Sequence, residues 1–505
     1  MLLGLSMLLP AVAGTVISIL YKDDPRQEAE KRRERTAGRN RLYGALAVVT
    51  AVLCLLAVRF SGTVTPLVLT EGVNVTFGLD GMGRFVLIAV VLLYTCVCFY
   101  GFEYMGHEER PHIFYAFYFV SYSALIACCM AGNLLTLYFC FEMLTLSSMP
   151  LVLHELTKES VTAALKYMFY SIAGALLGLL AVFFVYRYGP GSHEFVAGGF
   201  LRPEDIAQNR QVFLEVIMAG IIGFGTKAGL YPMHGWLPAA HPIAPAPASA
   251  VLSGIIAKAG VLSIARLVYY SVGADNLRGT WVQTAWMTLT LLTIFMGSMM
   301  AFREKILKKR LAYSTISQIS YVLLSLSFLG DGGMRGAMLH LMSHAASKGC
   351  LFLVAGIFIV KLGIRNVDDL KGVGRRMPVT LWCFTIASLS LVGIPPMGGF
   401  LSKWVIAENA IGSGIPVYSV LAPVILLISA LLTAGYLLPI TVDGFFPGHA
   451  EEEHHAGGKQ QESQDAASLP SAEPSYVMLI PLMILCTAAL VMGVFGIQIA
   501  GLFGF

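Results

Sequence analysis

Apolar segments of about 20 residues follow one another along most of the chain and are separated by short polar loops. The segments show no alternation of apolar and polar positions, so they do not fit the strands of a membrane barrel. Because backbone groups inside a bilayer must be hydrogen-bonded internally, the remaining choice is the transmembrane helix. The pattern predicts an all-α polytopic membrane protein with about fourteen transmembrane helices, called spans one to fourteen. They run over residues 1–20, 42–60, 82–101, 112–131, 133–153, 162–186, 212–232, 247–270, 281–301, 307–329, 336–361, 378–408, 417–442 and 475–500.

Prolines interrupt two of the spans, and each interrupted span carries a lysine. Span seven contains Lys227 and then Pro232, and span twelve contains Pro395-Pro396 and then Lys403. We predict that both helices are broken inside the membrane, where irregular backbone is tolerated only beside protein or a water-filled cavity. The breaks are five spans apart, an odd number, so the units around them would face opposite ways across the bilayer. This pattern predicts two inverted five-helix repeats, spans four to eight and spans nine to thirteen.

The predicted organisation follows from these spans. It comprises spans one to three (1–111), the first repeat (112–270), the second repeat (271–442), a polar cytoplasmic loop (443–474) and the last span (475–505). Spans four and five are separated only by Ala131-Gly132-Asn133. The polar loop contains His449, His454 and His455, which suggest a metal site, but a solvated loop better fits a segment without a structured scaffold.

Lysine and arginine residues concentrate in the odd-numbered loops, which indicates that these loops are cytoplasmic. The loop after span one carries eight of them, and the loops after spans nine and eleven carry five each. Both termini would then lie on the outer side of the inner, or cytoplasmic, membrane. The N-terminal segment has no positive region and no convincing cleavage site, so we interpret it as a retained first span.

Composition narrows the class of protein. The chain is 56% hydrophobic and only 13% charged, and its net charge of +4 gives no indication of nucleic-acid binding. All nine cysteines lie in apolar segments without a CxxC motif, as expected of small buried apolar side chains. No nucleotide, flavin or iron–sulfur motif is present, so we expect no cofactor in this chain.

Five charged residues fall inside the predicted spans, where each would cost roughly 2.5–3.5 kcal/mol at the centre of the bilayer. They are Glu142, Lys227, Lys258, Lys348 and Lys403. A lysine near the end of a span can extend its ammonium group to the interface, and this alternative stays open for Lys227, Lys258, Lys403 and especially Lys166. Together the five are too costly to be accidental, and we predict that they face the protein interior or water and pair with one another.

Span eleven adds a row of titratable side chains. His340, His344 and Lys348 are spaced i, i+4 and i+8, which places them on one face of a helix. Histidine binds and releases protons near neutral pH, and a lysine removed from water gives up its proton more readily. The row can therefore pass protons through intervening water. A polar contact between helices is the alternative, and a zinc site is disfavoured because the span has no Asp or Glu to complete it.

The break after Lys227 lies in a proline-rich segment, 231–250, with the sequence YPMHGWLPAAHPIAPAPASA. A break there frees backbone groups and creates a flexible, hydrated point beside the lysine. Glu142, on span five, is the natural counter-ion of Lys227. Such a pair would lower the cost of burying both charges, and breaking it would release a proton from the lysine.

These pieces resemble the antiporter-like subunit superfamily shared by respiratory complex I, membrane-bound hydrogenases and Mrp-type cation/proton antiporters. The resemblance rests on FEMLTLSS, KAGLYPMHGWLPAAHPIAPAPASAVLSGIIAK, RLAYSTISQISYVLL, HLMSHAASKGCLFLVAG and LVGIPPMGGFLSKW. It implies an input pair, a central lysine, a connecting row on span eleven and a charged residue on span twelve. These roles fall on Glu142 and Lys227, on Lys258, on His340, His344 and Lys348, and on Lys403. It also implies partners that are other antiporter-like and small membrane subunits of one complex.

Within the superfamily, Lys403, the HxxxHxxxK row and the short C-terminus are together most like the D subunit of an Mrp-type antiporter or its hydrogenase-complex counterpart. The first alternative is an antiporter-like pump subunit of complex I, where electron chemistry would lie in other subunits. The second is a stand-alone transporter, which would need a substrate pocket at the midplane instead of a string of titratable groups. A quinone-reacting enzyme would need a redox cofactor or partner. Sodium prefers several oxygen ligands, and the row is rich in nitrogen, so protons are the expected ion.

Overall fold

A computed structural model describes residues 1–22, 29–60, 62–70, 73–189, 191, 193–447 and 471–505 of the chain. Sixteen helices carry the argument that follows. They are α1 (Leu2–Leu20), α2 (Ala29–Phe60), α3 (Gly81–Tyr104), α4 (Pro111–Met130), α5 (Leu134–Leu153), α6 (Lys158–Tyr188), α7 (Arg210–Ala228), α8 (Leu237–Ile243), α9 (Ala246–Val272), α10 (Trp281–Arg303), α11 (Leu307–Ser327), α12 (Asp331–Leu362), α13 (Pro378–Val392), α14 (Gly398–Gly412), α15 (Tyr418–Phe445) and α16 (Tyr476–Val494). Single helical turns cover Met105–His107, Pro203–Ile206, Ala207–Asn209, Ala274–Leu277, Asp368–Leu370, Val373–Arg376 and Gly496–Gly501.

The helices confirm the predicted polytopic architecture. Within the described ranges, twelve helices are long and apolar enough to cross a membrane. The other two predicted spans correspond to α11, which begins with a basic and polar sequence, and to span twelve, which is divided into the shorter helices α13 and α14. The narrow boundary at Ala131-Gly132-Asn133 does separate α4 from α5. One limit was wrong, because α2 begins at Ala29 and extends through the basic loop before residue 42.

Two short strands depart from the all-α prediction. β1 (Val64–Thr70) pairs antiparallel with β2 (Val73–Phe77) between α2 and α3. The β-branched residues of VTPLVLT and VNVTF favour an extended backbone. The hairpin lies against the turn between α4 and α5, where the Thr76 amide donates to Thr136 Oγ1 at 2.9 Å.

Both predicted breaks occur, and they are built in the same way. α7 is followed by Gly229 at φ 82° and α13 by Gly393 at φ 93°, a left-handed conformation that glycine adopts without a Cβ clash. In each case the amide of the next residue bonds back to the carbonyl five residues earlier. Each break therefore leaves the C-terminal end of a half-helix inside the bundle, with carbonyl groups that attract a cation.

α9 lies at the centre of the molecule, and its most apolar window is entirely buried. By contrast, α6 and α15 direct large apolar side chains such as Phe169 and Leu431 outward, where lipid would lie. Two π-helical stretches of α9, Leu252–Ile256 and Arg266–Val272, flank a regular central part. Wider turns of this kind are frequent at functional sites. α12 packs beside α9 and also against α11, α13 and α14, so the two helices form the middle of the bundle.

One largely buried ion pair ties the end of α9 to the start of α3. The Arg266 guanidinium binds both carboxylate oxygens of Asp80, with 2.6 Å between Nη2 and Oδ1. The same guanidinium lies between the rings of Phe195 and Tyr270, 4.6 Å from each centroid. The pair therefore joins α3, α9 and the segment after α6.

The division into two inverted repeats remains a prediction. The two breaks are alike in construction, but Lys227 precedes its break whereas Lys403 follows the other one. The polar loop predicted from residue 443 begins later, because α15 continues to Phe445. His449, His454 and His455 lie outside the described residues.

Candidate functional site

Lys227 lies in the last turn of α7, immediately before the first break. Its side chain is only 1% exposed, and Nζ donates a hydrogen bond to Thr145 Oγ1 on α5 at 2.7 Å. Nζ also lies 4.6 Å from the ring centroid of Phe141 and 5.7 Å from that of Tyr167. A cation is favoured at a helix C-terminus and over aromatic faces. Burial in the bundle excludes the alternative that this lysine extends to the membrane interface.

Glu142 lies one turn before Thr145 on α5, but it does not pair with Lys227. Its Oε1 is buried and has no hydrogen-bond partner among the described residues. The predicted ion pair is therefore not formed in this structure, because the threonine hydroxyl takes the ammonium group instead. Glu142 and Thr145 are i and i+3 neighbours on one helix, so a rotation of the lysine side chain would exchange one for the other.

Lys258 occupies the regular part of α9 between the two π-helical stretches and is 0% exposed. Its Nζ donates to the backbone oxygen of Ser253, at 2.6 Å, on the preceding π-helical stretch. The partner is a neutral carbonyl. Complete burial again excludes the interfacial alternative.

A chain of hydrogen bonds connects Lys258 with Lys348. Ser253 Oγ lies 2.7 Å from Thr315 Oγ1 on α11. Thr315 Oγ1 donates to the Leu311 carbonyl at 2.8 Å, and Lys348 Nζ donates to the same carbonyl at 3.1 Å. Two buried lysines on α9 and α12 are thus bridged through one neutral serine and one neutral threonine.

The predicted row of titratable side chains lies on α12 and is buried throughout. The ring centroids of His340 and His344 are 6.0 Å apart. Neither ring nitrogen of His344 has a hydrogen-bond partner in the part of the chain that the structure describes. His340 Nδ1 lies 2.9 Å from Ser402 Oγ on α14, so the row reaches the second broken span.

Lys403 lies on α14, one residue after Ser402, and is half-buried. Its Nζ donates to the carbonyls of Leu391, at 2.6 Å, and Val392, at 3.0 Å, which are the last two of α13. Nζ also lies 5.0 Å from the ring centroid of Tyr321 on α11. Lys403 therefore neutralises the C-terminal end of the half-helix before its own, as Lys227 does at the end of its own helix.

Sequence analysis did not assign three buried polar residues that border this path. His241 on α8 stacks on Phe352 at 4.7 Å between centroids, and both of its ring nitrogens lack a partner among the described residues. Gln318 on α11 is also buried, with both amide atoms unpartnered there. Lys308, counted as a loop cation, is buried and donates to the Pro242 carbonyl at 3.3 Å. His241, Pro242 and Gln318 lie in the segments that carry the family resemblance, so the motifs indicated the regions but not these side chains.

Unpartnered polar atoms indicate where water would be bound inside the bundle. A buried donor or acceptor without a partner costs about 1–3 kcal/mol, and ordered water commonly satisfies it. Such atoms occur on α5, α8, α11 and α12, which surround the lysines. Positive charges held this close together repel one another, so a proton bound at one of them favours the release of a proton from the next.

Two alternatives from the sequence can be compared with the geometry. Within the described residues, no group of three or more His, Cys, Asp or Glu side chains could hold a metal ion, which gives a zinc site at His340 and His344 no support. Lys166, near the start of α6, is exposed and fits the interfacial interpretation.

Comparison with known proteins decides the family. Residues 131–433 match the family described as NADH:quinone oxidoreductase/Mrp antiporter, TM, and these residues make up more than half of the chain. The chain belongs to this family. It is therefore a multi-pass, antiporter-like ion-translocating membrane subunit, as the sequence motifs implied.

Curated relatives come from all three groups of complexes. NADH-quinone oxidoreductase subunit N of Desulforudis audaxviator is 31% identical over 393 residues, covering 76% of this chain and 75% of the relative. Hydrogenase-4 component B of Escherichia coli is 30% identical over 351 residues, covering 66% and 51%. A Na(+)/H(+) antiporter subunit of Alkalihalophilus pseudofirmus is 31% identical over 357 residues, covering 67% and 43%. The chain thus spans about half the length of the last two relatives or less, and identity does not choose among the three.

Solved structures share the fold. A chain of the Mrp complex from Dietzia sp. DQ12-45-1b superposes with a TM-score of 0.79 at 21% identity, over 100% of this chain and 96% of that one. A chain of the membrane-bound sulfane sulfur reductase, an archaeal respiratory membrane complex, gives 0.74 at 23% identity, over 97% and 76%. Both structures are of multisubunit membrane complexes.

Proposed function

We propose that this subunit moves protons along the buried axis that links the two broken spans. Its members, in spatial order, are Glu142, Lys227, Lys258, Lys348, His344, His340 and Lys403. The observation that carries the proposal is the neutral bridge of hydroxyl and carbonyl groups between Lys258 and Lys348. A carboxylate at either lysine would trap its charge, whereas neutral oxygens hold an ammonium group more weakly.

The mechanism is electrostatic. When Lys227 moves onto Glu142, the two charges compensate each other, which favours a proton on Lys258. When Lys227 returns to Thr145, its charge repels that proton toward Lys348, the histidine row and Lys403. The arrangement with Lys227 on Thr145 corresponds to the second of these states. In this proposal the chain holds no redox group, and electron chemistry in a redox-driven complex belongs to other subunits.

The parent complex that we favour is an Mrp-type antiporter, with this chain as its D subunit, or the counterpart in a hydrogenase-type complex. Lys403 at the second break and the HxxxHxxxK row support this choice. Its partners would be other antiporter-like and small membrane subunits, in a cytoplasmic membrane with both termini outside. A pump subunit of complex I is the second candidate, because subunit N of an NADH-quinone oxidoreductase is matched over three quarters of its length.

Substitution of the input residues tests the proposal. We expect Glu142→Ala and Lys227→Ala each to abolish proton transport by membrane vesicles without preventing assembly, because the first step of charge exchange needs both groups. Glu215→Ala is the matched control, since Glu215 is an exposed glutamate on α7 that binds only Gln211. Parental transport by either input variant would exclude the input role.

Gentle purification from the native membrane tests the choice of complex. Co-purification of other antiporter subunits without flavin or iron–sulfur proteins would support the Mrp-type complex. A flavin-containing or hydrogenase-like arm would contradict it and favour a redox-driven module.

A further inference from the structure

Residues 471–475 form a short strap that leads into α16 and fastens the ends of neighbouring helices. Ser475 Oγ donates a hydrogen bond to the carboxylate of Glu103 at the end of α3. The same carboxylate forms an ion pair with Lys361 Nζ, in the last turn of α12, at 2.6 Å. The strap is therefore anchored to the helix that carries the histidine row.

Glu473, in the middle of the strap, closes the N-terminus of α13. Its Oε1 accepts hydrogen bonds from the backbone amides of Val379, at 2.6 Å, and Thr380, at 3.1 Å. Its Oε2 accepts a third from Thr380 Oγ1 at 2.6 Å. The first amides of a helix have no partner inside the helix, and the helix dipole favours an anion there. The residue before α13, Met377, supplies no side-chain bond, so the cap comes from a residue 94 positions away.

The opposite end of α13 binds the last lysine of the proposed axis. Leu391 and Val392 offer their carbonyls to Lys403 Nζ. α13 has 15 residues and is therefore about 22 Å long. A carboxylate at its positive end and an ammonium group at its negative end both complement the helix dipole.

The position of α13 along its own axis decides where these carbonyls stand. α13 ends at the break, and α14 packs so closely against it that a Cβ at Gly399 would overlap the Ser390 carbonyl oxygen. A small displacement of α13 would therefore move its last carbonyls away from Lys403. The strap holds the end of α13 that is far from the break.

We propose that Glu473 is a positioning residue for ion transfer, which acts through α13 on Lys403. The strap fixes α13 so that its last two carbonyls hold the Lys403 ammonium group within reach of the histidine row. This inference rests on the proposed function, in which Lys403 ends the axis.

The first test compares variants of the capping carboxylate in the intact complex. Glu473→Gln keeps the shape and removes the charge, and we expect proton transport to fall about fivefold, as for the loss of a helix cap. Glu473→Asp keeps the charge and should restore most of the rate. Glu304→Gln is the matched control and should transport at the parental rate. The Glu304 carboxylate also binds backbone amides, those of Lys305 and Ile306, but it does so before the unbroken helix α11.

Amide hydrogen exchange at Val379 and Thr380 gives a readout that is independent of transport. We expect faster exchange in Glu473→Gln and parental exchange in Glu473→Asp. If Glu473→Gln does not assemble, Thr380→Val removes one of the three bonds and should still lower transport measurably. Parental transport by Glu473→Gln, or by Thr380→Val in its place, would overturn the inference, as would equal loss in the Gln and Asp variants. Full transport by Lys403→Ala would instead overturn the proposed function itself.

Discussion

Buried lysines with neutral partners are the recurring feature at the scale of single residues. Lys227 binds a hydroxyl group, and Lys258, Lys348 and Lys403 bind backbone carbonyls. A hydrogen bond from a charged group to a neutral one contributes about 1.5–3 kcal/mol, less than the roughly 3–5 kcal/mol lost when a buried ion pair is broken. Each ammonium group is thus held firmly enough to be buried and loosely enough to exchange its proton or its partner.

The hydroxyl of Thr145 competes with Glu142 for Lys227. Thr145→Val keeps the shape of the side chain and removes the acceptor, so we expect Lys227 to remain on Glu142. Proton transport should then slow about tenfold, because one of the two positions of the lysine has lost a charge-assisted hydrogen bond. Flux measurements on membrane vesicles would check this. Thr162→Val, at an exposed threonine on α6 that bonds only its own helix, should keep the parental rate. An unchanged rate in Thr145→Val would contradict the exchange.

The sequence predicted the lysines at this scale but not their partners. A charge in an apolar span is visible in one dimension, because its cost of burial demands an explanation. Thr145 and Glu142 share one helical face, and the choice of Lys227 between them depends on how α5 and α7 pack. The carbonyl partners of Lys403 come from another helix, so no spacing rule indicates them.

At the scale of elements, the ends of half-helices organise the path. α7 and α13 both end at a left-handed glycine inside the bundle, and an ammonium group lies at each end. The prolines and glycines of the two motifs were sufficient to predict the breaks. They did not indicate that Lys403 would bind across its break to α13, because this depends on the close packing of α13 and α14.

Close packing at the second break gives a prediction for Gly399. A methyl group there would overlap the Ser390 carbonyl, so Gly399→Ala should force the half-helices apart and lower the free energy of unfolding by about 2 kcal/mol. Thermal unfolding of the purified complex would measure the change. Gly412→Ala is the control on the same helix, since a methyl group there meets open space and should leave stability unchanged or slightly raised. Equal melting temperatures for the two variants would contradict the packing argument.

At the scale of the whole molecule, the path runs between two sets of fastenings. The Asp80–Arg266 pair joins α3 to α9 on one side, and the strap joins α3, α12 and α13 on the other. The polytopic fold was predictable because long apolar runs are a strong signal. The hairpin of β1 and β2 was missed, although its β-branched residues favour strands, because two short strands between long helices add little to the pattern.

The Asp80–Arg266 fastening gives a pH-dependent prediction. Burial tends to raise the pKa of Asp80, but hydrogen bonds and charge from Arg266, with the Gly83 amide, outweigh it and hold the pKa below its ordinary value of 3.8. Ionised Asp80 therefore stabilises the fold above pH 3.8, and this contribution is lost as the pH falls through the lowered pKa.

Asp80→Asn should consequently lower the free energy of unfolding at pH 7 by about 2 kcal/mol, because the buried guanidinium of Arg266 loses its counter-charge. The difference from the parent should close below pH 3.8, where the parent carboxylate becomes protonated. Denaturation curves at neutral and acidic pH would measure both effects. Asp275→Asn is the control, because Asp275 is 88% exposed in its pair with Arg278 and should change little. A difference that is the same at both pH values would contradict the assignment to this ionised pair.

Ion flux through the intact complex with Lys258→Met tests the central claim most directly. The substitution removes the charge at the middle of the axis and keeps an unbranched apolar chain of similar length. Purified complex in liposomes, monitored with pH-sensitive and sodium-sensitive dyes, should lose proton flux while its subunit composition stays parental. Lys305→Met, at an exposed lysine paired with Asp368, should transport normally. Parental proton flux in an assembled Lys258→Met complex would contradict a proton path along the buried lysines.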